Sequence, residues 1–307
     1  MVQNKVANEN TKIIPRAAVV QDMSGFGRVS LTEAIPAMSA MGVEVCPLPT
    51  AVLSTHTYEF KNYTLLDLTD EMEKIIAHWN DIGLEFDAVY SGYMSSSRQI
   101  DITKSFMLEQ KKNGALLIVD PVLGDNALLD VKTVYSDRMT ELIGGMRGLC
   151  AIADTITPNL TEACLLLERE YPTAPLSDRE LADILMGLSK LGADSVLITS
   201  VMDSPDTMCV AVYDGDEFYK IDCGYVSRPF HGTGDLLTSV FTGARLNGYK
   251  VADAANLAVD FLAKAIELTV KYPQMPIRHG VLFEPIIRDG YFADSSHTNR
   301  IKLLNRE

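Results

Sequence analysis

The stretch His231-Gly232-Thr233-Gly234-Asp235 introduces an apolar run that continues to Phe241. Two glycines allow the backbone to turn tightly and to approach a ligand without Cβ clashes. The apolar run predicts a helix, whose first N–H groups have no intrahelical partners and favour a bound anion. Asp235 would be repelled by a bound phosphate unless it accepts a proton from an attacking hydroxyl group. The stretch therefore predicts either the anion cradle and base of a small-molecule phosphotransferase or a plain glycine turn with an Asp near the helix start.

Along the rest of the chain, short apolar runs alternate with helical patterns. Strands are predicted at residues 17–21, 43–48, 86–90, 115–119, 154–156 and 195–198, and helices at residues 30–41, 68–83, 97–113, 135–149, 160–170, 178–191 and 252–272. Residues 208–213 and 217–223 alternate in hydrophobicity around Asp214-Gly215, which predicts a small antiparallel hairpin. Nearly continuous apolar strands separated by helices predict an α/β fold, with a mostly parallel central sheet and helices on both faces.

Local signals complete this outline. Ser30 is expected to cap the first helix, with Glu33 completing a capping box. Residues 49–63 are predicted to form a polar loop. Because no linker, repeat or break in composition interrupts the chain, we predict a single domain over residues 16–285, with a flexible N-terminal tail over 1–15 and a C-terminal extension over 286–307.

Polar side chains follow five of the predicted strands. They are Asp22, Tyr93, Asp120 with Asp125, residues 157–162, and Thr199 with Ser200. Because ligands of mostly parallel sheets bind beyond the carboxyl ends of the strands, these side chains are predicted to share one site. Tyr93 follows a glycine, and we expect its ring either to stack on a planar substrate or to pack in the ordinary way. His56 and His231 are likewise interpreted either as substrate contacts or as hydrogen-bonded polar residues.

Oxygen ligands are concentrated in two short motifs. Asp120 and Asp125 flank a Pro-Val-Leu-Gly turn, and Asn159 and Glu162 stand three residues apart at a predicted helix start. Such ligands suit Mg²⁺, which keeps several waters and is shared with phosphates. Alternatively, Asp125 and Asn159 are ordinary turn and capping residues. Combined with the glycine stretch, the two motifs favour a metal–nucleotide site.

Composition excludes several classes of function. A net charge of −14 argues against a nucleic-acid surface, and the apolar runs are too short for a membrane span. The five cysteines are scattered without C-x-x-C spacing, which argues against zinc and disulfides and indicates reduced thiols. Residues 1–12 lack the hydrophobic segment of a signal peptide, so we expect a cytoplasmic protein. The sequence contains no P-loop motif, which excludes the P-loop kinases.

Together, these motifs resemble those of the pyridoxal kinases, which belong to the ribokinase-like superfamily. Gly232-Thr233-Gly234-Asp235 marks the superfamily, whereas the motifs at 120–125, 157–162 and Ser91-Gly92-Tyr93 are closer to its vitamin B6 branch. The resemblance covers residues 16–285 and implies a ribokinase-like three-layer fold. It also implies ATP-dependent phosphorylation of the 5′-hydroxyl group of pyridoxal, pyridoxine or pyridoxamine. Mg²⁺, a monovalent cation such as K⁺ and a homodimer are further properties that the resemblance implies.

The resemblance assigns a role to each site residue. Asp235 would be the base that faces the substrate hydroxyl group, and Gly232, Thr233 and Gly234 would form the anion hole for the transferred phosphoryl group. Mg²⁺ would be held by Asp120, Asp125 and Glu162. The nucleotide would contact Asp125, Thr157, Asn159, Thr199, Ser200 and Thr233, and the vitamer would contact Asp22, Thr57 and Tyr93, with Tyr93 stacking on the pyridine ring.

Two departures from the pyridoxal kinase pattern bear on the substrate. Asp22 stands where many pyridoxal kinases have Ser, and an Asp near this point is usual in hydroxymethylpyrimidine and sugar kinases of the same fold. Because a carboxylate favours a cationic amine, we expect pyridoxamine among the vitamers. His231 replaces a residue that is commonly apolar in the family. The alternatives are therefore a hydroxymethylpyrimidine or sugar kinase, or a non-catalytic pyridoxal-binding protein, although a pure binder needs no base at Asp235.

Overall fold

The computed structural model describes residues 12–57, 59–124, 137–204, 207–224, 230–293 and 297–305. The strands are β1 (Arg16–Ser24), β2 (Glu44–Leu53), β3 (Leu65–Asp67), β4 (Ala88–Ser91), β5 (Leu116–Val119), β6 (Thr155–Ile156), β7 (Ser195–Ser204), β8 (Thr207–Tyr213), β9 (Phe218–Gly224) and β10 (Ile301–Leu303). In the described part of the chain, they form one sheet in the order β10-β9-β8-β7-β6-β5-β4-β1-β2-β3.

Most helices follow a strand and lead back to the next one. They are α1 (Leu31–Ala40), α2 (Thr69–Asp81), α3 (Ser97–Lys112), α4 (Asp137–Cys150), α5 (Leu160–Leu166), α6 (Asp178–Ser189), α7 (Thr233–Leu246), α8 (Val251–Val270) and α9 (Glu284–Arg288). None of the described helices is long and apolar enough to cross a membrane.

The sheet is parallel in its centre and antiparallel at its edges. Strand β1 pairs in parallel with β2 and β4, and the parallel pairing continues through β5 and β6 to β7. Strands β8, β9 and β10 add antiparallel at one edge, and β3 adds antiparallel at the other. The predicted α/β fold with a mostly parallel sheet and a small antiparallel hairpin is confirmed.

Two apolar cores lie on opposite faces of the sheet, as expected when both faces are covered by helices. Ala18 and Val20 of β1 pack in the core that includes α2 to α6. Their neighbours Ala17 and Val19 point to the other face, since strand side chains alternate, and pack with α1, α7 and α8. The result is a three-layer arrangement in which α1 and α7 share one face.

Three strands are longer than the sequence pattern predicts. Strand β1 continues to Ser24, so Asp22 lies within it and does not follow it as predicted. Strand β2 continues to Leu53, where residues 49–63 are predicted as a loop, and it pairs there with β3. Pro47 and Pro49 are tolerated because this part of β2 pairs with β1 alone, so its other edge needs no N–H donors. Strand β7 continues to Ser204, and Thr199 and Ser200 lie at an irregularity of its pairing with β8 rather than beyond the strand.

The C-terminal segment contributes to the sheet. Strand β10 pairs with β9, with Ile301 opposite Ile221. Close by, the guanidinium of Arg300 contacts the buried carboxylate of Asp260 on α8, with Nε 3.1 Å from Oδ1. The division into a tail (1–15), a domain (16–285) and an extension (286–307) stays a prediction.

Candidate active site

Helix α7 begins at a glycine that cannot be replaced without strain. Gly232 has a left-handed φ of 79°, and its carbonyl accepts the N–H of Leu236 at 2.9 Å. A Cβ at this position would lie 2.1 Å from the carbonyl oxygen of Arg28 and 2.8 Å from Oε2 of Glu33. Since most of α7 beyond its first turn is buried, the turn and its N–H groups are fixed relative to the sheet.

Asp235 lies in the first turn of α7, and two donors orient its carboxylate. The backbone N–H of Ser30 donates to Oδ2 at 2.9 Å, and the amide of Gln21 donates to Oδ1 at 3.4 Å. Ser239, one turn further along α7, donates its hydroxyl to the carbonyl of Asp235 at 2.6 Å. The carboxylate is therefore held between the start of α7, the start of α1 and the Gln21 side chain of β1.

Gly92 gives Gln21 the space that this contact requires. Gly92 follows β4, and its N–H donates to the carbonyl of Val20 at 2.9 Å. A Cβ on Gly92 would lie 2.2 Å from Nε2 of Gln21, which is completely buried. The glycine of the Ser-Gly-Tyr motif is thus explained by the close approach of the Gln21 side chain.

Asp120 lies beside the glycine turn, although it precedes Gly234 by 114 positions in the sequence. It follows β5, is 7% exposed, and its N–H donates to the carbonyl of Ser91 at 2.8 Å. A Cβ on Gly234 would lie 4.0 Å from Oδ2 of Asp120. The structure therefore brings the first carboxylate of the 120–125 motif to the predicted anion hole, whereas Asp125 lies outside the described residues.

Asn159 and Glu162 form a capping box at the start of α5. The Asn159 side chain accepts the N–H of Glu162 at 2.9 Å, and Oε2 of Glu162 accepts the N–H of Asn159 at 2.8 Å. The other oxygen of Glu162 accepts the N–H groups of Leu123 and Gly124, at 3.1 and 3.5 Å. Glu162 thus joins the turn after β5 to the start of α5, and its carboxylate faces backbone donors.

The described residues alone do not complete a metal site. No group of three or more His, Cys, Asp or Glu side chains among them is placed to hold a metal ion. Asp120 and Glu162 are carboxylates of the kind that Mg²⁺ shares with phosphates and water. Their role as ligands together with Asp125 stays a prediction.

The predicted phosphate-contacting residues gather where β6 and β7 meet α7. Thr157 accepts the hydroxyl of Thr238 on α7 at 3.0 Å. The N–H of Thr199 donates to the carbonyl of Pro158 at 2.9 Å, and Thr199 forms a parallel bridge with Asn159. Ser200 is exposed and has a positive φ of 58°. This region therefore joins the 157–162 motif to the helix that carries Asp235.

The predicted substrate contacts differ in their surroundings. Asp22 is 6% exposed, and its oxygens accept the hydroxyls of Ser24 at 2.8 Å and of Ser30 at 2.6 Å. Tyr93 is half-buried, and its carbonyl accepts the hydroxyl of Thr50 at 3.1 Å. Thr57 is exposed on the β2–β3 connection.

The adjacent His56, rather than Thr57, is buried next to the glycine turn. Its Nε2 donates to the carbonyl of Arg278 at 2.6 Å, and its ring centroid lies 5.7 Å from that of His231. His231 directly precedes Gly232. His56 thus has a hydrogen-bond partner, as one of its two interpretations expects, and its ring contact with His231 places it beside the glycine turn. A contact between His56 and the substrate stays a prediction.

Three residues around Asp235 were not assigned to the site from the sequence. They are Gln21, Ser30, which was predicted only as a helix cap, and Glu33. The predicted capping box of Ser30 and Glu33 is wrong, because Ser30 has a φ of 50° and its side chain makes no cap hydrogen bond. Its hydroxyl donates to Asp22 and its N–H donates to Asp235. A signal for Gln21 was present, since it is a polar residue that ends an apolar strand directly before Asp22.

Glu162→Gln is expected to lower the free energy of unfolding by about 1–3 kcal/mol, because an amide NH₂ would face buried N–H donors that now have an acceptor. Urea unfolding followed by circular dichroism measures the change. Glu180→Gln is the matched control, since Glu180 forms an exposed capping box with Ser177 on α6. We expect the control to change stability by no more than about 0.5 kcal/mol. Equal losses in the two variants would contradict the joining role of Glu162.

Known proteins share this architecture over nearly their whole length. A protein from Bacteroides thetaiotaomicron, provisionally assigned as a phosphomethylpyrimidine kinase, is 39% identical and superposes with a TM-score of 0.88 over 96% of this chain and 99% of that one. A second crystal form of it, with pyridoxal, is 40% identical with a TM-score of 0.86, over 95% of this chain and 100% of that one. The pyridoxal kinase of Lactobacillus plantarum is 31% identical with a TM-score of 0.79, over 90% of this chain and 96% of that one.

Curated relatives and a family profile agree with these structures. The hydroxymethylpyrimidine/phosphomethylpyrimidine kinase of Mycobacterium tuberculosis is 28% identical over 264 residues, which cover 84% of this chain and 90% of that protein. The fold and its relatives define a phosphotransferase of the ribokinase-like superfamily that acts on an alcohol group, which confirms the resemblance to pyridoxal kinases. The phosphomethylpyrimidine kinase profile matches residues 33–279, and the chain belongs to that kinase family.

Proposed function

We propose that this kinase transfers the γ-phosphoryl group of ATP to the 5′-hydroxyl group of a vitamin B6 vitamer, with Asp235 as general base. The observation that carries the proposal is the oriented carboxylate of Asp235 in the first turn of α7. A hydroxyl group that hydrogen-bonds to this carboxylate would lose its proton to it as the oxygen attacks phosphorus. The N–H groups of the turn at Gly232, Thr233 and Gly234 would stabilise the charge on the transferred group.

The nucleotide would lie along the ends of β5, β6 and β7. Asp120 fits a role with Mg²⁺, because it is nearly buried and its carboxylate is close to the glycine turn. Asp120, Asp125 and Glu162 would hold the ion, which would neutralise charge on the phosphates when bound. Thr157, Asn159, Thr199, Ser200 and Thr233 would contact the nucleotide.

A vitamer is the acceptor favoured by the substrate side of the site. Tyr93 is half-buried at the end of β4, where its ring would stack on a pyridine ring. The presence of pyridoxal in a crystal form of the Bacteroides relative supports the same class of ligand. Asp22 and Thr57 would meet the polar substituents of the ring, and the carboxylate of Asp22 favours the amine of pyridoxamine. Hydroxymethylpyrimidine is the second candidate acceptor, favoured by the family profile and by Asp22.

A coupled assay of ADP release across pyridoxal, pyridoxamine, pyridoxine, hydroxymethylpyrimidine and ribose tests the acceptor. We expect turnover of the vitamers, with pyridoxamine preferred, above the rate of ATP hydrolysis without acceptor. Turnover of hydroxymethylpyrimidine alone would replace the first candidate by the second, and turnover of ribose alone would remove the stacking role of Tyr93. Binding of pyridoxal without any turnover would indicate a non-catalytic binder.

The homodimer, the monovalent cation such as K⁺ and the cytoplasmic location are part of the same proposal. They rest on the resemblance to pyridoxal kinases. Sedimentation velocity would measure the oligomeric state, and turnover in K⁺ compared with a large organic cation would measure the dependence on the monovalent ion.

A further inference from the structure

Glu33 is a completely buried acid that the proposed mechanism does not use. It lies in the first turn of α1 at 0% exposure, and neither carboxyl oxygen has a hydrogen-bond partner among the described residues. Burying a carboxyl group without partners is costly, so such groups are retained where they serve a site. Glu33 therefore requires an explanation.

The explanation begins with the N–H of Ser30. In a capping box, the third residue of the helix accepts the N–H of the capping residue, and that residue of α1 is Glu33. Here the N–H of Ser30 donates to Oδ2 of Asp235 at 2.9 Å instead. Asp235 of α7 thus accepts the hydrogen bond that Glu33 would accept in a local capping box. The side chain of Glu33 is buried instead.

The carboxyl group of Glu33 packs against the back of the glycine turn. A Cβ on Gly232 would lie 2.8 Å from Oε2 of Glu33. The charged groups that act on Glu33 are Asp235 of α7, Arg28 of the β1–α1 connection and Glu284 of α9, and Arg28 is itself paired with Glu284 at 2.6 Å. Burial, reinforced by the charge of Asp235, raises the pKa of Glu33 well above its ordinary value, although Arg28 opposes the change.

We propose that Glu33 is a positioning residue that keeps its proton, supports Gly232 from behind and leaves Asp235 as the one ionised member of a carboxyl pair. Two neighbouring carboxyl groups, one completely buried at Glu33 and one half-buried at Asp235, divide in this way into a neutral acid and an ionised base. Loss of the Glu33 proton at high pH would place a second negative charge behind the turn that receives the phosphoryl group. This proposal rests on the proposed function, because it assigns the base to Asp235.

Unfolding measurements on Glu33→Gln test the protonation of Glu33 without any activity assay. The unfolded chain ionises Glu33 near its ordinary pKa of 4.5, whereas the folded chain keeps the proton. Below pH 4.5, Glu33 is protonated in both the folded and the unfolded chain. Above pH 4.5, only the unfolded chain loses this proton, so the free energy of unfolding falls as the pH rises towards the pKa of folded Glu33. Glutamine does not ionise, so the unfolding constants of wild type and Glu33→Gln should diverge by up to about tenfold per pH unit.

Urea unfolding between about pH 5.5 and about pH 8.5 measures this divergence. Glu267→Gln, an exposed position on α8, is the matched control and should show none. A constant ratio between wild type and Glu33→Gln across this range would overturn the proposal, because it would mean that folded Glu33 is ionised. Infrared spectra provide a second readout, since the carbonyl band of a protonated acid should be present in wild type and absent in Glu33→Gln.

Kinetics test the positioning role separately. Glu33→Ala removes the support behind Gly232, and we expect kcat to fall by at least about tenfold with little change in KM. The conservative Glu33→Gln should keep kcat near that of wild type at neutral pH and should lack the fall in kcat that we expect of wild type at high pH. A properly folded Glu33→Gln as impaired as Glu33→Ala would overturn the proposal. If wild type phosphorylates no vitamer, the proposed function fails, while the unfolding data still decide the state of Glu33.

Discussion

Replacing Asp235 with Asn is expected to lower kcat by about 10²–10⁴-fold while the binding of vitamer and ATP stays nearly unchanged. An amide has the size of the carboxylate and still accepts the N–H of Ser30, but it does not take a proton from the attacking hydroxyl group. Steady-state kinetics would give kcat and KM, and calorimetry would give the dissociation constants of both substrates. A loss confined to kcat identifies an interaction that is made only in the transition state.

Asp216→Asn is the control for this variant, because Asp216 is exposed at the β8–β9 turn. It makes the same change of charge next to the start of β7, at the opposite edge of the sheet from the carboxyl ends of the parallel strands, and should leave kcat unaltered. Asp235→Asn with the turnover of wild type would remove the general-base role. A large loss of binding with unchanged kcat would instead assign Asp235 to substrate recognition.

Gly232→Ala is expected to produce the second large effect, a fall in kcat of at least about 10²-fold together with a loss of stability. The left-handed φ of 79° costs about 1–3 kcal/mol for a residue with a Cβ. The added Cβ would also lie 2.1 Å from the carbonyl oxygen of Arg28, so the turn must move and its N–H groups lose their alignment. Kinetics and thermal unfolding of the purified variant measure the two losses.

Gly248→Ala separates backbone strain from displacement of the turn. Gly248 follows the other end of α7 with a φ of 86°, and a Cβ there would meet nothing within 4 Å. We expect this control to lose stability but to keep its kcat. If both variants lose kcat equally, the loss in Gly232→Ala reflects general destabilisation rather than the geometry of the anion hole.

The central sheet was predictable from sequence because its strands are buried on both faces. Strands such as β5 (Leu116–Val119) are short apolar runs. A short, continuous apolar run is typical of a strand that is buried on both faces of a sheet. The ends of β2 and β7 were not predictable in this way. They lie at irregular or half-exposed pairings, where prolines and hydroxyl groups are tolerated and the hydrophobic pattern fades.

The candidate site was predictable as a set of motifs but not as a set of contacts. Strand-end chemistry pointed to Asp120, the glycine stretch pointed to Asp235, and the structure brings the turns that carry them together. Ser30 shows why the remainder was missed. Its sequence predicts a local capping box with Glu33, yet a carboxylate more than two hundred residues away takes its N–H. Competition between a local and a long-range partner is decided by packing, which one sequence does not reveal.

The contact between Ser30 and Asp235 has a practical consequence for trapping substrate complexes. Because this carboxylate accepts the N–H at the start of α1 and is also the proposed base, an Ala substitution would remove both functions, and loss of the helix contact would cost about 0.5–2 kcal/mol. Asn keeps an oxygen that accepts the N–H of Ser30, so it removes the proposed base and preserves the contact between the two helices. Asp235→Asn is therefore the better variant for crystallising the protein with both substrates bound and unreacted. A lower melting temperature of Asp235→Ala would reflect the lost hydrogen bond between α7 and the start of α1.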